Sequence, residues 1–343
     1  MKDYLNSLGT KSKTAFTIKL NTVKKNKVLL DFAKVIKKEK KLILKENLKD
    51  IKNAKKKKLR ENLINRLVLN SNKIGQIIKS IETIKKLDDP ENKILNQWSR
   101  PNGLKIKKIT VPIGVIGVIY ESRPNVTADV SSLCFKSGNC VILKGGSEAY
   151  NTNKLLVNLF RRSLKKNNLN QNYVQFIDSK DRNVVDYMLS KMSQYIDVII
   201  PRGGKNLVKK VQNLSKIPTI GHLEGVCHTY VDKDANANIA QRVVHNAKLR
   251  NTAICGATET LLLHEKIIKS FGTKILKNLE ENGCKIIGDA KIKKVFYGKI
   301  HKASDKDWSK EYLSPTISVK SIKSINQAIF HINKYGTMHT DCI

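Results

Sequence analysis

Residues 111–149 read VPIGVIGVIYESRPNVTADVSSLCFKSGNCVILKGGSEA and contain the clearest structural pattern of the chain. Two continuously apolar runs, residues 114–120 and 139–144, flank a helical pattern that follows Pro124. Short apolar runs bounded by glycine and proline are typical of buried strands in a parallel sheet. The stretch therefore predicts a strand, a helix and a second strand, which together form one βαβ unit.

The same alternation continues on both sides of this stretch. Downstream, YVQFI (173–177), YIDVIIP (195–201) and VCHTYV (226–231) are further strand candidates separated by helical patterns. Upstream, residues 1–95 repeat apolar positions at helical spacing, and an extended arm follows at about 100–112. We therefore predict an α/β protein with a doubly wound parallel sheet.

The domain prediction follows from this order of elements. Residues 1–235 comprise the N-terminal helices, the arm and a dinucleotide-binding sheet. Residues 236–343 begin with the helix NIAQRVVHNAKL, pass Cys255 and continue through the strand ETLLLH. We expect this second part to be a smaller α/β catalytic domain.

The charge of the chain is strongly positive, with a formal net charge of +36 over 343 residues. The excess consists of 55 Lys and only 10 Arg, although arginine is the better reader of bases and phosphates. The lysine runs also fall in helical patterns whose solvated face they would occupy. We therefore predict no specific nucleic-acid partner, and keep a noncatalytic Lys-rich polyanion binder as an alternative function.

The cysteines and the apolar runs indicate the compartment. Six Cys residues show neither a CxxC pair nor zinc spacing, and no secretory leader pattern precedes the first helix. His222 and His228, with Cys227 between them, lack a further ligand at suitable spacing, so no metal is predicted. No apolar run is long enough to span a bilayer. We expect a cytoplasmic protein without a membrane partner.

Two glycine loops follow predicted strands, at the edge where parallel sheets bind ligands. Glycine allows the backbone to approach a ligand closely, and the start of the following helix offers N–H donors. Neither loop is a GxGxxG, so the usual fingerprint is absent. Together the loops favour dinucleotide binding over simple turns. The predicted cofactor-binding residues are Lys144, Gly145 and Gly146 in the first loop and Arg202, Gly203 and Gly204 in the second.

Two further residues are candidates for chemistry. Asn125 follows the strand at Pro124 and could donate its amide to a developing oxyanion, although an isolated Asn in this place is also a common helix cap. Cys255 lies in NTAICGATET, where small side chains leave space around the thiol. A buried structural cysteine usually has bulky apolar neighbours instead.

These motifs resemble the gamma-glutamyl phosphate reductase branch of the aldehyde dehydrogenase superfamily. The similar segments are residues 111–153, IDVIIPRGGKNLV (196–208), IPTIGHLEGVCHTYVD (217–232) and HINKYGTMHTDCI (331–343). The resemblance implies an aldehyde dehydrogenase fold and NADPH-dependent reduction of L-glutamyl 5-phosphate to the semialdehyde in proline biosynthesis. Its thioester chemistry fits a cysteine nucleophile and an acyl phosphate with a good leaving group.

The resemblance also assigns roles to residues. Cys255 matches the nucleophile, Asn125 the oxyanion-hole amide, and the two glycine loops the cofactor-binding positions. His222 stands where hydrolytic members place a water-activating Glu, with Glu224 two residues later. The substrate-binding candidates are Arg123, Lys248 and Arg250.

The family resemblance further implies a homo-oligomer in the full-length protein and hand-off of the acyl phosphate from glutamate 5-kinase. Family members continue beyond the HTD motif, so we expect the catalytic domain to be incomplete at Ile343. The alternatives are an inactive truncated reductase and an oxidising aldehyde dehydrogenase for another substrate. The His222 position argues against the second of these.

Overall fold

Helices fill the first part of the chain, as the amphipathic pattern predicts. The computed structural model describes residues 1–59, 61–181 and 183–343. The opening helices are α1 (Lys2–Phe16), α2 (Thr22–Lys38), α3 (Lys40–Lys56), α4 (Glu61–Leu67) and α5 (Ser71–Lys86). A break at residues 68–70 precedes α5, which ends before residues 88–90. Among the described residues, every helix is too short or too polar to cross a bilayer.

The predicted extended arm is an antiparallel pair of strands, β1 (Ile94–Ser99) and β2 (Lys105–Ile109). Trp98 pairs with Ile106 in its register, and all of β1 is exposed. The arm begins before the predicted residue 100, because the polar and amide residues of β1 mask its strand character.

A parallel sheet with strand order β5-β4-β3-β6 forms the centre of the N-terminal unit, residues 1–221. Val118 of the central strand β3 pairs with Leu143 on one side and with Ile200 on the other. The elements are β3 (Val115–Tyr120), α6 (Pro124–Lys136), β4 (Cys140–Gly145), α7 (Tyr150–Lys166), β5 (Val174–Phe176), α8 (Asn183–Lys191), β6 (Val198–Arg202) and α9 (Lys205–Leu214). The predicted doubly wound arrangement is confirmed: the chain adds β4 and β5 on one side of β3, then crosses to place β6 on the other.

The boundary between the units lies at Gly221 and His222, earlier than the predicted residue 235. The strand β7 (Cys227–Val231) belongs to the C-terminal sheet, where its Tyr230 pairs with Leu262. The predicted boundary is corrected for this reason. The sequence of an apolar strand does not show which other strand it pairs with.

The C-terminal unit, residues 222–343, is a second parallel sheet with strand order β10-β9-β11-β8-β7-β12. Its further elements are α10 (Ala237–Leu249), β8 (Thr258–His264), α11 (Thr273–Glu281), β9 (Lys285–Gly288), α12 (Ala290–Val295), β10 (Ile300–Lys302), β11 (Thr316–Ile322), α13 (Ile325–Tyr335) and β12 (Asp341–Cys342). The fully buried strand β8 lies in the middle of its core, as its apolar run predicts.

Three neighbouring strands of this sheet bring separate segments together. The strands β8, β7 and β12 are adjacent and parallel, so their amino ends lie at the same edge. The segments before them end at Ala257, Val226 and Thr340. Because parallel neighbours start side by side, these three segments converge although they are distant in the sequence.

Candidate active site

A cavity of about 330 Å³ opens beyond the carboxyl ends of the strands in the N-terminal unit. It lies at the point where strand order reverses around β3, which is where open parallel sheets bind ligands. The lining residues are Ile119, Tyr120, Glu121, Lys144, Gly145, Gly146, Ser147, Glu148, Lys180, Val185, Asn206, Leu207 and Lys210. The first predicted glycine loop and the helix after the second one thus line one cavity.

Gly145 is required by close packing beneath this cavity. A Cβ at this position would overlap the Asn153 amide and come within 3.2 Å of the Tyr120 ring. The Tyr120 hydroxyl in turn lies 2.7 Å from the hydroxyl of Thr127, which also donates to Asn153 at 2.9 Å. The first glycine loop therefore packs closely against this buried polar cluster.

Lys144 is a buried cation at the wall of the cavity, with only 6% of its surface exposed. Its Nζ donates to the carbonyl oxygen of Gly145 at 3.0 Å. Burial lowers the pKa of Lys144, while the nearby carboxylates Glu148 and Asp181 act in the opposite direction. An anionic group bound in the cavity would likewise favour the charged ammonium.

Two carboxylates at the cavity were not predicted from the sequence. Glu148 accepts from the backbone N–H of Ser122 at 2.6 Å and from its hydroxyl at 2.9 Å. Glu121 accepts from the backbone N–H of Gly204 at 2.9 Å and so fixes the second glycine loop to the end of β3. The acidic residue directly after the central strand was the available signal, because strand ends of this kind bear ligand-binding groups.

The second glycine loop lies beside the cavity and does not supply its lining. Arg202, Gly203 and Gly204 are exposed, and the helix α9 that follows them reaches the cavity instead. A Cβ at Gly203 would come within 2.7 Å of both the Glu121 carboxylate and the Leu207 side chain. Glycine at this position therefore serves the packing of the loop against two lining residues. Direct contact of these three residues with a cofactor stays a prediction.

Asn125 is exposed at the second position of α6. Its Nδ2 donates to Asp129 one turn later at 3.2 Å. Arg123, which is half-buried, occupies the N-cap position instead. The alternative interpretation of Asn125 as a helix cap was therefore wrong.

Cys255 lies in the loop between α10 and β8, as predicted, and its side chain is partly exposed. Gly225 approaches the loop so closely that a Cβ there would overlap the Cys255 carbonyl group. The thiol of Cys227 donates to the same carbonyl oxygen at 3.1 Å. Glu311 accepts from the backbone N–H of Gly225 at 3.0 Å and holds this segment from the other side. The backbone of the Cys255 loop is thus fixed while its side chain is partly exposed.

Two imidazoles accompany the thiol. One ligand atom each from His222, Cys255 and His339 lies within 4.8 Å of the others, and the two imidazole centroids are 4.4 Å apart. The Nδ1 of His339 lies 2.9 Å from the Thr340 hydroxyl and 3.6 Å from the Cys227 sulfur. No role was predicted for His339, although the motif GTMHTD was among the segments that carried the family resemblance. We call these three residues the thiol–imidazole cluster.

His228 does not join His222, with which the sequence analysis considered it. Its Nδ1 lies 3.0 Å from Asp341 in the interior of the unit. Burial lowers the pKa of His228, and the carboxylate of Asp341 partly offsets this effect. His222 and His228 are therefore close in the sequence but have different partners in the structure.

Lys248 is a correction to the predicted substrate-binding residues. Its Nζ lies 2.6 Å from Glu259, and both side chains are fully buried. Burial raises the pKa of Glu259, and the Lys248 ammonium opposes that shift. A cation that is fully buried and paired in this way is not accessible to a substrate. Arg250, at the exposed end of α10, is still a candidate.

Four other cysteines are poor nucleophiles because they are buried. Burial raises the pKa to about 12 for Cys134 and Cys140 and to about 11 for Cys227 and Cys284. Since the thiolate is the reactive form, these thiols react slowly near neutral pH. Cys255 differs from them by its exposure and its two imidazoles.

Comparison with known proteins identifies relatives of this chain. A model of the aldehyde dehydrogenase family matches residues 10–320. A gamma-glutamyl phosphate reductase of Thermodesulfovibrio yellowstonii is 43% identical over 333 residues, which are 97% of this chain and 79% of that protein. Another, from Bartonella quintana, is 40% identical and covers 100% of this chain and 82% of its own length.

Solved structures give the same result. The gamma-glutamyl phosphate reductase of Thermotoga maritima matches with a TM-score of 0.93 and 36% identity, over 99% of this chain and 82% of that one. The enzyme of the same name from Saccharomyces cerevisiae matches with a TM-score of 0.60 and 28% identity, over 98% and 85% of the two chains. An acetylating aldehyde dehydrogenase of Geobacillus thermoglucosidasius shares the fold at 15% identity, with a TM-score of 0.66 over 99% and 81% of the chains.

Proposed function

Since the chain belongs to the gamma-glutamyl phosphate reductases of the aldehyde dehydrogenase family, we propose that Cys255 carries the acyl group while L-glutamyl 5-phosphate is reduced to L-glutamate 5-semialdehyde. The chain is an oxidoreductase of proline biosynthesis, and the family and fold predicted from its motifs are confirmed. To this assignment we add the cofactor, the thioester and the path of the proton.

The cavity in the N-terminal unit fits one end of a nicotinamide dinucleotide. It lies beyond the strand ends, and a Cβ at Gly145 would disturb its floor. Lys144, Lys180 and Lys210 line it, and cations favour the additional phosphate of NADPH over the free hydroxyl of NADH. The turn at residues 202–204, held to Glu121, extends this proposed cofactor surface beside the cavity. When bound, NADPH supplies the hydride that reduces the thioester carbonyl carbon.

The residues of the C-terminal unit perform the acyl chemistry. The Cys255 sulfur attacks the acyl carbon, the bond from that carbon to the phosphate oxygen breaks, and phosphate departs. After hydride addition, the thiohemiacetal oxyanion collapses, expels the Cys255 thiolate and releases the aldehyde. No water attacks in this direction, so a carboxylate that activates water is dispensable. The small side chains around Cys255 leave room for the tetrahedral carbon.

The imidazoles of the thiol–imidazole cluster account for the proton. Forming the thioester from a neutral thiol releases one proton, and the departing phosphate takes up one. Imidazole is the side chain best suited to exchange protons near neutral pH. His222 or His339 therefore accepts the proton of Cys255 and returns it to the leaving phosphate, so the step is balanced without solvent.

The other predicted site residues complete the proposal. The Asn125 amide carries two hydrogens and uses one for Asp129, so the second can stabilise the oxyanion. Arg123 and Arg250 are candidates for the charged groups of the substrate. Because acyl phosphates hydrolyse in water, we also propose direct hand-off from glutamate 5-kinase in the cytoplasm. We further propose that the protein is a homo-oligomer.

The observation that carries this proposal is the partly exposed Cys255 thiol beside two imidazoles. The experiment compares wild type, Cys255→Ser and Cys342→Ser with glutamyl phosphate generated by a kinase. Wild type and the Cys342→Ser control should oxidise NADPH, faster than NADH at equal concentration. Cys255→Ser should lose essentially all turnover.

Omitting the cofactor separates the thioester from the hydride transfer. Mass spectrometry of wild type with the acyl phosphate should then find a glutamyl adduct on the Cys255 peptide. Turnover by Cys255→Ser at the wild-type rate, or an adduct on another cysteine, would contradict the mechanism.

A further inference from the structure

The thiol–imidazole cluster has the composition of a metal site as well as that of a nucleophile. One sulfur and two nitrogen ligands lie within 4.8 Å of one another in the C-terminal unit. Catalytic zinc sites in proteins use three protein ligands and keep a fourth position for water. Among the described residues, His222, Cys255 and His339 are a group of side chains with that arrangement.

We propose that His222, Cys255 and His339 form a reversible binding site for a thiophilic divalent cation, best matched by Zn²⁺, and that its occupancy blocks the nucleophile. The binding site follows from the geometry alone. The block on activity rests on the proposed role of Cys255 as nucleophile.

The ligand atoms need only a small rearrangement to reach a metal. With bond lengths of about 2.3 Å to sulfur and about 2.0 Å to nitrogen, tetrahedral ligands lie roughly 3.3–3.6 Å apart. The observed separations, at most 4.8 Å, require a closure of roughly 1 Å. His222 is exposed, and the partly buried His339 has its Nδ1 2.9 Å from the Thr340 hydroxyl. A hydrogen bond of this kind orients a ligating imidazole.

The backbone around the cluster is already fixed. Gly225 packs against the Cys255 carbonyl group, and the Cys227 thiol donates to the same oxygen. The cation would therefore meet one thiolate and two imidazoles in a nearly prepared arrangement.

Ligand type determines which cation fits. Thiolate and imidazole select Zn²⁺ and similar soft or borderline ions, whereas Mg²⁺ and Ca²⁺ prefer oxygen ligands. A thiolate bound to the metal shares its electron pair with it and cannot attack an acyl carbon. Removal of the cation by a chelator breaks that bond and restores the thiolate, so the block is reversible and needs no oxidant.

The test uses the metal alone with the full chain. Co²⁺, which occupies zinc sites and reports thiolate ligation by a charge-transfer absorption band, is titrated into wild type and into single variants. One ion per chain should bind, and Zn²⁺ should displace it. Cys255→Ser should lose the thiolate band, and His222→Ala or His339→Ala should weaken binding by at least about tenfold. His245→Ala is the matched control, because His245 bonds Asn278 away from the cluster.

A readout without turnover separates this inference from the proposed function. Zn²⁺ should protect Cys255 from alkylation, measured by mass spectrometry, and a chelator should remove the protection. Binding without a thiolate band, equal affinity in His339→Ala, or equal losses in His245→Ala would each overturn the site. If Cys255→Ser still turns over while the band and the protection are as expected, the proposed function fails and the metal site stands.

Discussion

Replacing Lys248 by Met tests whether this residue is a structural cation or a substrate ligand. Lys248 and Glu259 are both fully buried, with 2.6 Å between Nζ and Oε2. The other Glu259 oxygen accepts the backbone N–H of Leu313 at 3.2 Å. Lys248→Met keeps most of the buried aliphatic chain but leaves the carboxylate without a countercharge, held by backbone donors of Leu313 and Tyr312. The expected loss of stability is therefore electrostatic and does not result from a loss of side-chain volume.

Breaking a buried pair from one side costs about 3–5 kcal/mol, because an uncompensated charge stays inside. At about 2 °C or more per kcal/mol, the lower bound predicts a loss of roughly 6 °C in the melting temperature. The double variant Lys248→Met/Glu259→Leu should recover most of this loss, since an apolar pair often replaces a buried ion pair without cost. Thermal unfolding followed by circular dichroism of wild type, Lys248→Met, Glu259→Leu and the double variant completes a double-mutant cycle.

The pH dependence has a definite sign. Burial raises the pKa of Glu259 in the folded protein, and removing Lys248 removes an opposing interaction. A carboxyl whose folded pKa lies above its unfolded pKa stabilises the fold at low pH and loses that contribution as pH rises. The deficit of Lys248→Met should therefore be larger at pH 8 than at pH 5.

The opposite pattern would refute this reasoning. If Lys248→Met unfolds like wild type but raises the KM for the acyl phosphate, Lys248 binds substrate and the buried pair is unimportant. An equal loss of stability in the single and double variants would show that packing, and not the charge of Glu259, determines the effect.

Three further outcomes are expected. Lys144→Met should raise the KM for NADPH by roughly tenfold, since a hydrogen bond to a charged group contributes about 1.5–3 kcal/mol; an equal change in exposed Lys191→Met would contradict a specific contact. Gly225→Ala should slow thioester formation by roughly 100-fold, because its Cβ displaces the Cys255 backbone by an ångström-scale shift. Gly75→Ala, where a Cβ meets open space, is the control, and equal rates in both variants would refute the role of close approach. At pH 8, iodoacetamide should label Cys255 well before the buried cysteines, whose pKa values are raised to about 11 or 12, and mass spectrometry showing uniform labelling would argue against this difference.

The sequence predicted features that depend on local pattern. The glycine loop with Lys144 and the loop with Cys255 both lie where the order of strands and helices placed them. Apolar periodicity and the positions of glycine and proline report such local structure directly. The family motifs then predicted the chemistry, because the residues expected to perform it occur in these motifs in a fixed order.

What the sequence did not show depends on pairing and burial. His339 reaches Cys255 because β12 pairs with β7 and β7 pairs with β8. The sequence of a strand does not show which strand it pairs with. Lys248 looked like an ordinary basic residue, since its burial depends on Glu259 being enclosed with it. Close approaches such as those of Gly203 and Gly225 are equally invisible before the backbone is known.

The two units place their candidate functional groups at opposite ends of parallel strands. In the N-terminal unit, the cavity lies beyond the carboxyl ends, where helix starts supply N–H donors suited to phosphate. In the C-terminal unit, the thiol–imidazole cluster lies before the amino ends of β7, β8 and β12. A search restricted to the carboxyl ends of strands therefore finds the cavity but misses the imidazoles of the thiol–imidazole cluster. Segments that enter adjacent strands converge as closely as those that leave them, and here they bring imidazoles to a thiol without using a helix terminus.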